Sequence, residues 1–528
     1  MRAAAGRLGD YSIPVAAHDS ILRWLPAPQS RLLAALLLLC LTSLALVPLL
    51  PAYLPLVDFP QHVALHSIWN NIADPAFHLN GRFEVALSTP YALPHLLAHA
   101  AAQVLGPERG LRFVLVVSLL AFPLAALALL HAFHRPPEIA LAAFPAALSF
   151  VYWFGFISYV MALPLILLGI AIVRRCAASG RPRDATLLAV LGLLTVATHG
   201  FAFLVLLSLA GVTVLATARS FSRVALVASS FAPGVIWSTV WALSSSSVVP
   251  AEPLETTYGS GRERMRYSLA SMFGSHTLEP RVLAIALALA IVLGAAVWCS
   301  HRRNPSAADE AGRRALGFVA LTAALASLLC PQEFMNTWGL WERIPPVAFV
   351  AFAGALPWPA AHHLRRRLAA SLAIVALFAS GTAISQGLAF SEEARGIREL
   401  AQYVPRGSRV MWTACNEEQP WPKATPSFKH LGAYVQAARG GDLSYSFAHF
   451  HHMVVRYRGA PLPAVFDRAV YDVAVLRLGP RCPALDDLRK LGPLAMEGSY
   501  VAFLAAAVTP ELAAALEPER ARHATSTQ

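Results

Sequence analysis

Apolar runs long enough to cross a bilayer recur along the first 390 residues, separated by short arginine-bearing connections. No water-soluble core can absorb that much continuous apolar chain. Composition agrees: 56% of the 528 residues are hydrophobic and 14% charged, against about a quarter charged in soluble domains. The chain is therefore expected to be a polytopic α-helical membrane protein with about eleven spans. Residues 391–528 are left for a water-facing domain. A formal charge of +12 would suit a nucleic-acid binder, but most arginines sit in short loops between apolar runs, where they fix orientation by the positive-inside rule. No nucleic-acid partner is expected.

Arg2, Arg7 and Arg23 precede the apolar run 32–50. That run is too long for a signal-peptide core and no small-x-small cleavage site follows, so it reads as an uncleaved first span. Placing Arg174-Arg175, Arg302-Arg303, Arg313-Arg314 and Arg365-Arg366-Arg367 on the cytoplasmic side gives an inside N-terminus and an outside C-terminus. The transmembrane module is then 1–390, with outer loops at 54–110 and 244–280. Segment 91–106 carries His95, His99 and a proline. If it crossed, every later loop would have the wrong sign, so it is expected to be interfacial or re-entrant.

Chemistry concentrates where the first span ends. Asp58 precedes Pro60, and His62 and His66 follow at i and i+4 spacing, so a helix starting near Pro60 sets both imidazoles on one face with the carboxylate at its N-terminus. Asp58 could equally serve as a helix cap. His62 and His66, like His95 and His99, have the spacing of a two-histidine metal site, but no HExxH glutamate lies between them. A divalent metal on His62 and His66 is therefore left open beside ordinary hydrogen-bonding histidines. His199 closes an apolar run on the same side as Asp58, either as a helix-end histidine or as a substrate contact. Arg262, Arg264 and Arg266 alternate beside Tyr258 and Tyr267, with Glu252, Glu255 and Glu263 in the same loop. Three guanidiniums could hold a phosphate or diphosphate headgroup, or touch anionic lipid. Trp338 and Trp341, with Glu333, Glu342 and Arg343, read as an aromatic interface belt or one wall of a sugar or lipid pocket.

From about residue 391 the sequence becomes that of a soluble α/β domain. Strands are expected at 408–414 and 469–477, and helices at 430–439 and 485–491. Cys415 and Cys482 both fall in this domain, and outside the cytoplasm they are expected to pair as a disulfide. The run His449-Phe450-His451-His452, with Arg456 and Arg458, reads as an acceptor-side surface; along a strand His449 and His451 would point one way and His452 the other. Walker, Rossmann, nucleophile-elbow and kinase signatures are absent, which argues against an ATP-driven pump or a serine hydrolase.

This layout resembles the GT-C superfamily of integral membrane glycosyltransferases, which includes protein mannosyltransferases, aminoarabinose transferases and oligosaccharyltransferase catalytic subunits. The resemblance lies in one span followed by a large outer loop opening with an acid (Asp58-Phe59-Pro60-Gln61-His62), further short-looped spans, and an outer C-terminal domain. It implies inverting sugar transfer from a polyprenyl-phosphate donor to a glycan, lipid or protein acceptor on the non-cytoplasmic face. Asp58 would be the general base and Arg262, Arg264 or Arg266 would stabilise the lipid-phosphate leaving group. The chain departs from the pattern in having Phe59 where a second acid often follows, and in lacking a Trp-Trp-Asp motif. A transporter or flippase of lipid-linked or anionic substrates, and a non-catalytic assembly subunit, are the competing classes. Richness in Ala and Arg suits a bacterial inner membrane with a periplasmic C-terminal domain.

Overall fold

Each of the eleven apolar runs is helical in the computed structural model, which describes residues 31–245, 256–258, 260–274, 279–300, 306–334, 337–415, 426–463, 465–479, 485–509 and 512. Glu252, Glu255 and Cys482 lie outside the described residues. The first span is α1 (Arg31–Leu49); the loop after it holds α2 (Phe59–Asn71), the short strand β1 (Phe83–Val85) and α3 (Ala92–Leu105). Next come α4 (Pro107–Ala132), then a 3-10 turn with α5 (Ala143–Ala147) and α6 (Phe150–Phe154), then α7 (Ile157–Ser179), α8 (Pro182–Thr198) and α9 (Gly200–Thr217). The rest of the bundle is α10 (Phe221–Ser230), α11 (Ala232–Ser245), α12 (Gly261–Phe273), α13 (Pro280–Ser300), α14 (Ala307–Leu329), α15 (Pro345–Ala355) and α16 (His362–Ala394), with a two-stranded ribbon of β2 (Glu333–Phe334) and β3 (Thr337–Trp338) ahead of α15.

Among the described residues, eight helices are long and apolar enough to cross a membrane, or nine if α10 and α11, bent by 43°, count as one span. The remaining two runs form α8, of 17 residues, and α15, of 11, shorter than the roughly 20 a straight crossing takes. Helix α3 is 14 residues long, about 21 Å at the helical rise, so it too falls short of a crossing.

The connections sort to two ends of the bundle, as the alternation of arginines requires. At one end, the Arg135 side chain donates to the carbonyls of Gly354 and Leu356, both at 2.7 Å, and pairs with Asp309. Arg365 grips Glu138 bidentately at 2.6 and 3.0 Å, and Arg223 donates to the Ala178 carbonyl at the end of α7. The opposite end carries the α1–α2 loop, the α6–α7 and α8–α9 turns, the α14–α15 loop and the C-terminal domain.

That domain begins with α17 (Gly396–Ala401) and is built on β4 (Arg409–Ala414), α18 (Ala433–Arg439), β5 (Asp442–Leu443), β6 (Val455–Tyr457), β7 (Val473–Arg477), α19 (Leu485–Lys490), β8 (Ala495–Glu497) and β9 (Tyr500–Leu504). Both expected strands and both expected helices are present. The sheet has order β5-β4-β7-β9-β8, with β5-β4-β7 parallel and β9 antiparallel to its neighbours. Its central strand β7 is buried along its whole length, which explains the unbroken apolar run Val473-Ala474-Val475-Leu476. Cys415, at the end of β4, is disulfide-bonded, while Cys40, Cys176, Cys299 and Cys330 are free thiols.

The first loop and the C-terminal domain form one unit. Strand β1 pairs antiparallel with β6. Ser427 Oγ donates to the Pro55 carbonyl at 2.9 Å, Ser67 Oγ to the Ala437 carbonyl at 2.6 Å, and Arg82 pairs with Asp442 at 2.6 Å. Leu65 and Ile68 of α2 share an apolar cluster with Phe447, Met453 and Val454. Helix α2, which starts at Asp58, is thus fixed from two sides.

Candidate active site

Asp58 occupies the N-cap position of α2, yet its side chain caps nothing. Its backbone is αR (φ −90°, ψ −10°) and no cap hydrogen bond is made, so the capping reading of the sequence does not hold. Main-chain bonds hold it in place: the Val57 N–H donates to the Trp153 carbonyl at 3.3 Å and the Asp58 N–H to the Phe154 carbonyl at 3.0 Å. The carboxylate is nearly buried, with His430 Nε2 at 3.8 Å from Oδ1. Burial pushes its pKa up to about 7, opposed by the charges of Lys429 and Arg343. A carboxyl group that has lost its water and titrates near neutrality has the properties of a general base.

Arg343 is the cation that faces it from the bundle. Its Nε donates to the Gly339 carbonyl at 3.1 Å, Nη2 to the Trp338 carbonyl at 2.7 Å, and Nη1 lies 2.9 Å from His199 Nε2. The guanidinium also covers the Phe156 ring at 4.1 Å. Among the described residues no carboxylate lies within ion-pairing distance of it. His199, at the α8–α9 junction, also meets the Tyr91 hydroxyl at 3.2 Å. Tyr91 in turn packs on His452, ring centroids 4.7 Å apart. The expected substrate contact His199 therefore stands beside a buried guanidinium at the Asp58 end of the bundle.

The histidines of α2 and α3 form an array. His66 Nε2 bonds His95 Nδ1 at 3.0 Å, His62 packs on His95 with centroids 5.4 Å apart, and Trp69 stacks on His99 at 4.1 Å. Burial holds His62, His66 and His95 below the ordinary imidazole range, His95 at about 4. Among the described residues no group of three or more His, Cys, Asp or Glu side chains is placed to hold a metal. The i, i+4 geometry is real, but the His66 nitrogen nearest the partner helix is engaged by His95.

Other expected contacts are redistributed. The stretch Arg262-Glu263-Arg264-Met265-Arg266 opens helix α12, and at helical spacing Arg264 faces away from Arg262 and Arg266, so the three guanidiniums do not converge. Arg264 is buried and donates to the carbonyls of Leu328 and Cys330, 2.8 Å for the latter, ending α14; Arg262 and Arg266 are exposed. Trp341 is buried at 2% exposure and cannot line an open pocket wall. Trp338 keeps a partial role, packing on Phe154 at 4.9 Å in the cluster that holds Val57. His449 lies in a 3-10 turn at 447–449, not on a strand, so the strand alternation expected for His449, His451 and His452 does not apply.

Sequence reasoning does not single out Tyr91, Lys429 or His430, and places Arg343 only among the neighbours of Trp338 and Trp341. Arg343 carries a signal, as a cation in a tryptophan-rich loop on the Asp58 side. Lys429 and His430 have none, because their relation to Asp58 spans about 370 residues of chain.

No protein-family profile and no curated protein matches the sequence. Among solved structures the chain is similar to ArnT from Cupriavidus metallidurans bound to undecaprenyl phosphate, at 11% identity and a TM-score of 0.52, over 91% of this chain and 98% of that one. The apo state of the same protein aligns at 13% identity and a TM-score of 0.47, with the same coverage. The likeness to the bound form runs through bundle and C-terminal domain alike, and the chain has an ArnT-like fold.

Proposed function

We propose that the protein transfers a sugar from a polyprenyl-phosphate donor to an acceptor hydroxyl at the end of the bundle where Asp58 lies, in a bacterial inner membrane and on its periplasmic face. The observation that carries this reading is the pairing of a buried, uncapped carboxylate with a buried guanidinium that, among the described residues, has no carboxylate within ion-pairing distance. A buried cation with no carboxylate in direct contact among the described residues is costly, and an incoming phosphate would neutralise it. In the displacement, Asp58 accepts the acceptor hydroxyl proton as the acceptor oxygen forms its bond to the anomeric carbon. The bond from that carbon to the donor phosphate breaks, and the electron pair leaves on the phosphate oxygen. Arg343, held in orientation by Gly339, Trp338 and His199, stabilises that charge. The ArnT fold supports this reading, since the solved relative holds undecaprenyl phosphate.

The test is Asp58→Asn, which keeps the shape and removes the base. Lipid mass spectrometry on gently purified protein should find polyprenyl-phosphate sugar enriched in the variant and bare polyprenyl phosphate in wild type, with turnover reduced on the order of 10²- to 10⁴-fold. Absence of any polyprenyl lipid from both preparations would remove the proposal's support.

A further inference from the structure

At the end of the bundle opposite Asp58, cations collect where the end of α4, the last turns of α7 and the α9–α10 connection meet. Arg174 of α7 lies over the Phe133 ring, its Cζ 6.0 Å from the centroid, and Arg219 stands near enough for its charge to act on that guanidinium. His134 is close as well: burial and the charges of Arg174 and His131 hold its imidazole below the ordinary range. The carboxylates described at this end are engaged elsewhere. Asp184 accepts from Arg175 at 3.3 Å and from Ser179 at 2.8 Å, Glu138 is held by Arg365, Asp309 by Arg135 and Glu310 by Arg314. The carbonyls of Ala177 and Ala178, near the end of α7, are taken by Arg223 at 3.3 and 2.6 Å. Among the described residues no carboxylate lies within ion-pairing distance of Arg174 or Arg219, and the buried Nε of Arg174 has no acceptor.

A partly desolvated cation without a partner is costly, and a second guanidinium beside it adds repulsion. A phosphate group removes both penalties, because its oxygens accept from the planar fork while its charge offsets the two cations. The position of the cluster decides which phosphate. Arg174 lies within the last two turns of a membrane-spanning helix, at the depth of the headgroups, where anionic lipids attract arginine. Arg219 is flanked along the chain by Leu215 and Phe221, 82% and 85% exposed, which suit acyl chains beside a headgroup. We propose that Arg174 and Arg219 form a binding site for the phosphate of an anionic phospholipid, in the leaflet opposite the Asp58 centre. Contact with the buried Phe133 ring restrains the Arg174 fork, so the lipid meets a preset site instead of a freely moving charge. The site is independent of the transferase reading and needs only that the chain spans a membrane.

Native mass spectrometry of the full-length protein, released from micelles holding equal amounts of phosphatidylglycerol and phosphatidylcholine, reads the site. Wild type should retain phosphatidylglycerol in preference. Arg219→Gln, an exposed change in a connection between helices, should weaken retention about fivefold, and Arg174→Gln combined with it about tenfold or more. Arg366→Gln removes an equal charge from an exposed position at the same end and should leave retention within about twofold of wild type. The proposal is overturned if wild type shows no preference, or if Arg219→Gln protein that elutes like wild type in gel filtration retains as much lipid. It is equally overturned if Arg366→Gln lowers retention as far as Arg219→Gln does, or if inorganic phosphate at the concentration of the lipid displaces it, which would make this a site for a free anion.

Discussion

Gly155→Ala, paired with Gly81→Ala, isolates what the close approach of the α6–α7 turn to Asp58 contributes. Both glycines are left-handed, at φ +77° and +79°, so alanine costs about 1–2 kcal/mol of backbone strain at either position. The surroundings differ. A Cβ at Gly81 meets nothing within 4 Å, whereas at Gly155 it would lie 3.1 Å from the Phe59 nitrogen and 3.2 Å from the Asp58 nitrogen and the Leu56 Cβ. Two of those neighbours are backbone atoms and must move by a few tenths of an ångström, against the bonds from Val57 and Asp58 to the Trp153 and Phe154 carbonyls. Overpacking of this kind adds about 1–3 kcal/mol. A 1 Å displacement at a reacting centre can cost on the order of 10²-fold, so a shift of a few tenths should slow turnover about three- to tenfold. Denaturation of the two purified variants and release of polyprenyl phosphate, followed by mass spectrometry, provide the comparison. If Gly155→Ala is as stable and as active as Gly81→Ala, the Asp58 segment is not held in the way argued.

Three further outcomes follow from the site. Because Asp58 must be ionised to act as base and its pKa is raised to about 7, turnover should fall about tenfold per unit below pH 7, and Lys429→Met, which removes a charge favouring the anion, should move that limb upward; a limb unmoved near pH 4 would refute the assignment. Stability has a separate sign: His62, His66, His95 and His430 have pKa values lowered in the fold, so the unfolded chain gains protons first and stability should be lost as pH falls from about 6.5 towards 4, outweighing the opposite contributions of Asp58 and Glu342, whose pKa values burial raises. Arg343→Lys keeps the charge but loses the planar fork, and should weaken binding of a short-chain polyprenyl phosphate at least about tenfold, as measured by titration.

Several features could be read directly from the residues. Hydropathy alone located all eleven apolar runs, because a helix in lipid must satisfy its backbone internally and so needs an unbroken apolar stretch. The alternation of arginine-bearing loops predicted which connections share an end of the bundle, and Arg135, Arg223 and Arg365 are found together opposite Asp58. Asp58 itself was visible as an acid directly after the first span. Strand β9 was missed because Tyr500-Val501-Ala502-Phe503-Leu504 carries no polar alternation: it is buried along nearly its whole length beside β7.

What the sequence determined by itself is periodicity and local order: spans, turns, and the acid and histidines at the start of α2. The tertiary structure decided which groups meet. It converted Asp58 from a cap into an uncapping carboxylate by tying its main chain to Trp153 and Phe154, made Arg264 a support for the end of α14, and brought Arg343, Lys429 and His430 to one place. Those encounters depend on packing between segments hundreds of residues apart, and charge, burial and pKa are properties of that packing and not of the order of residues along the chain.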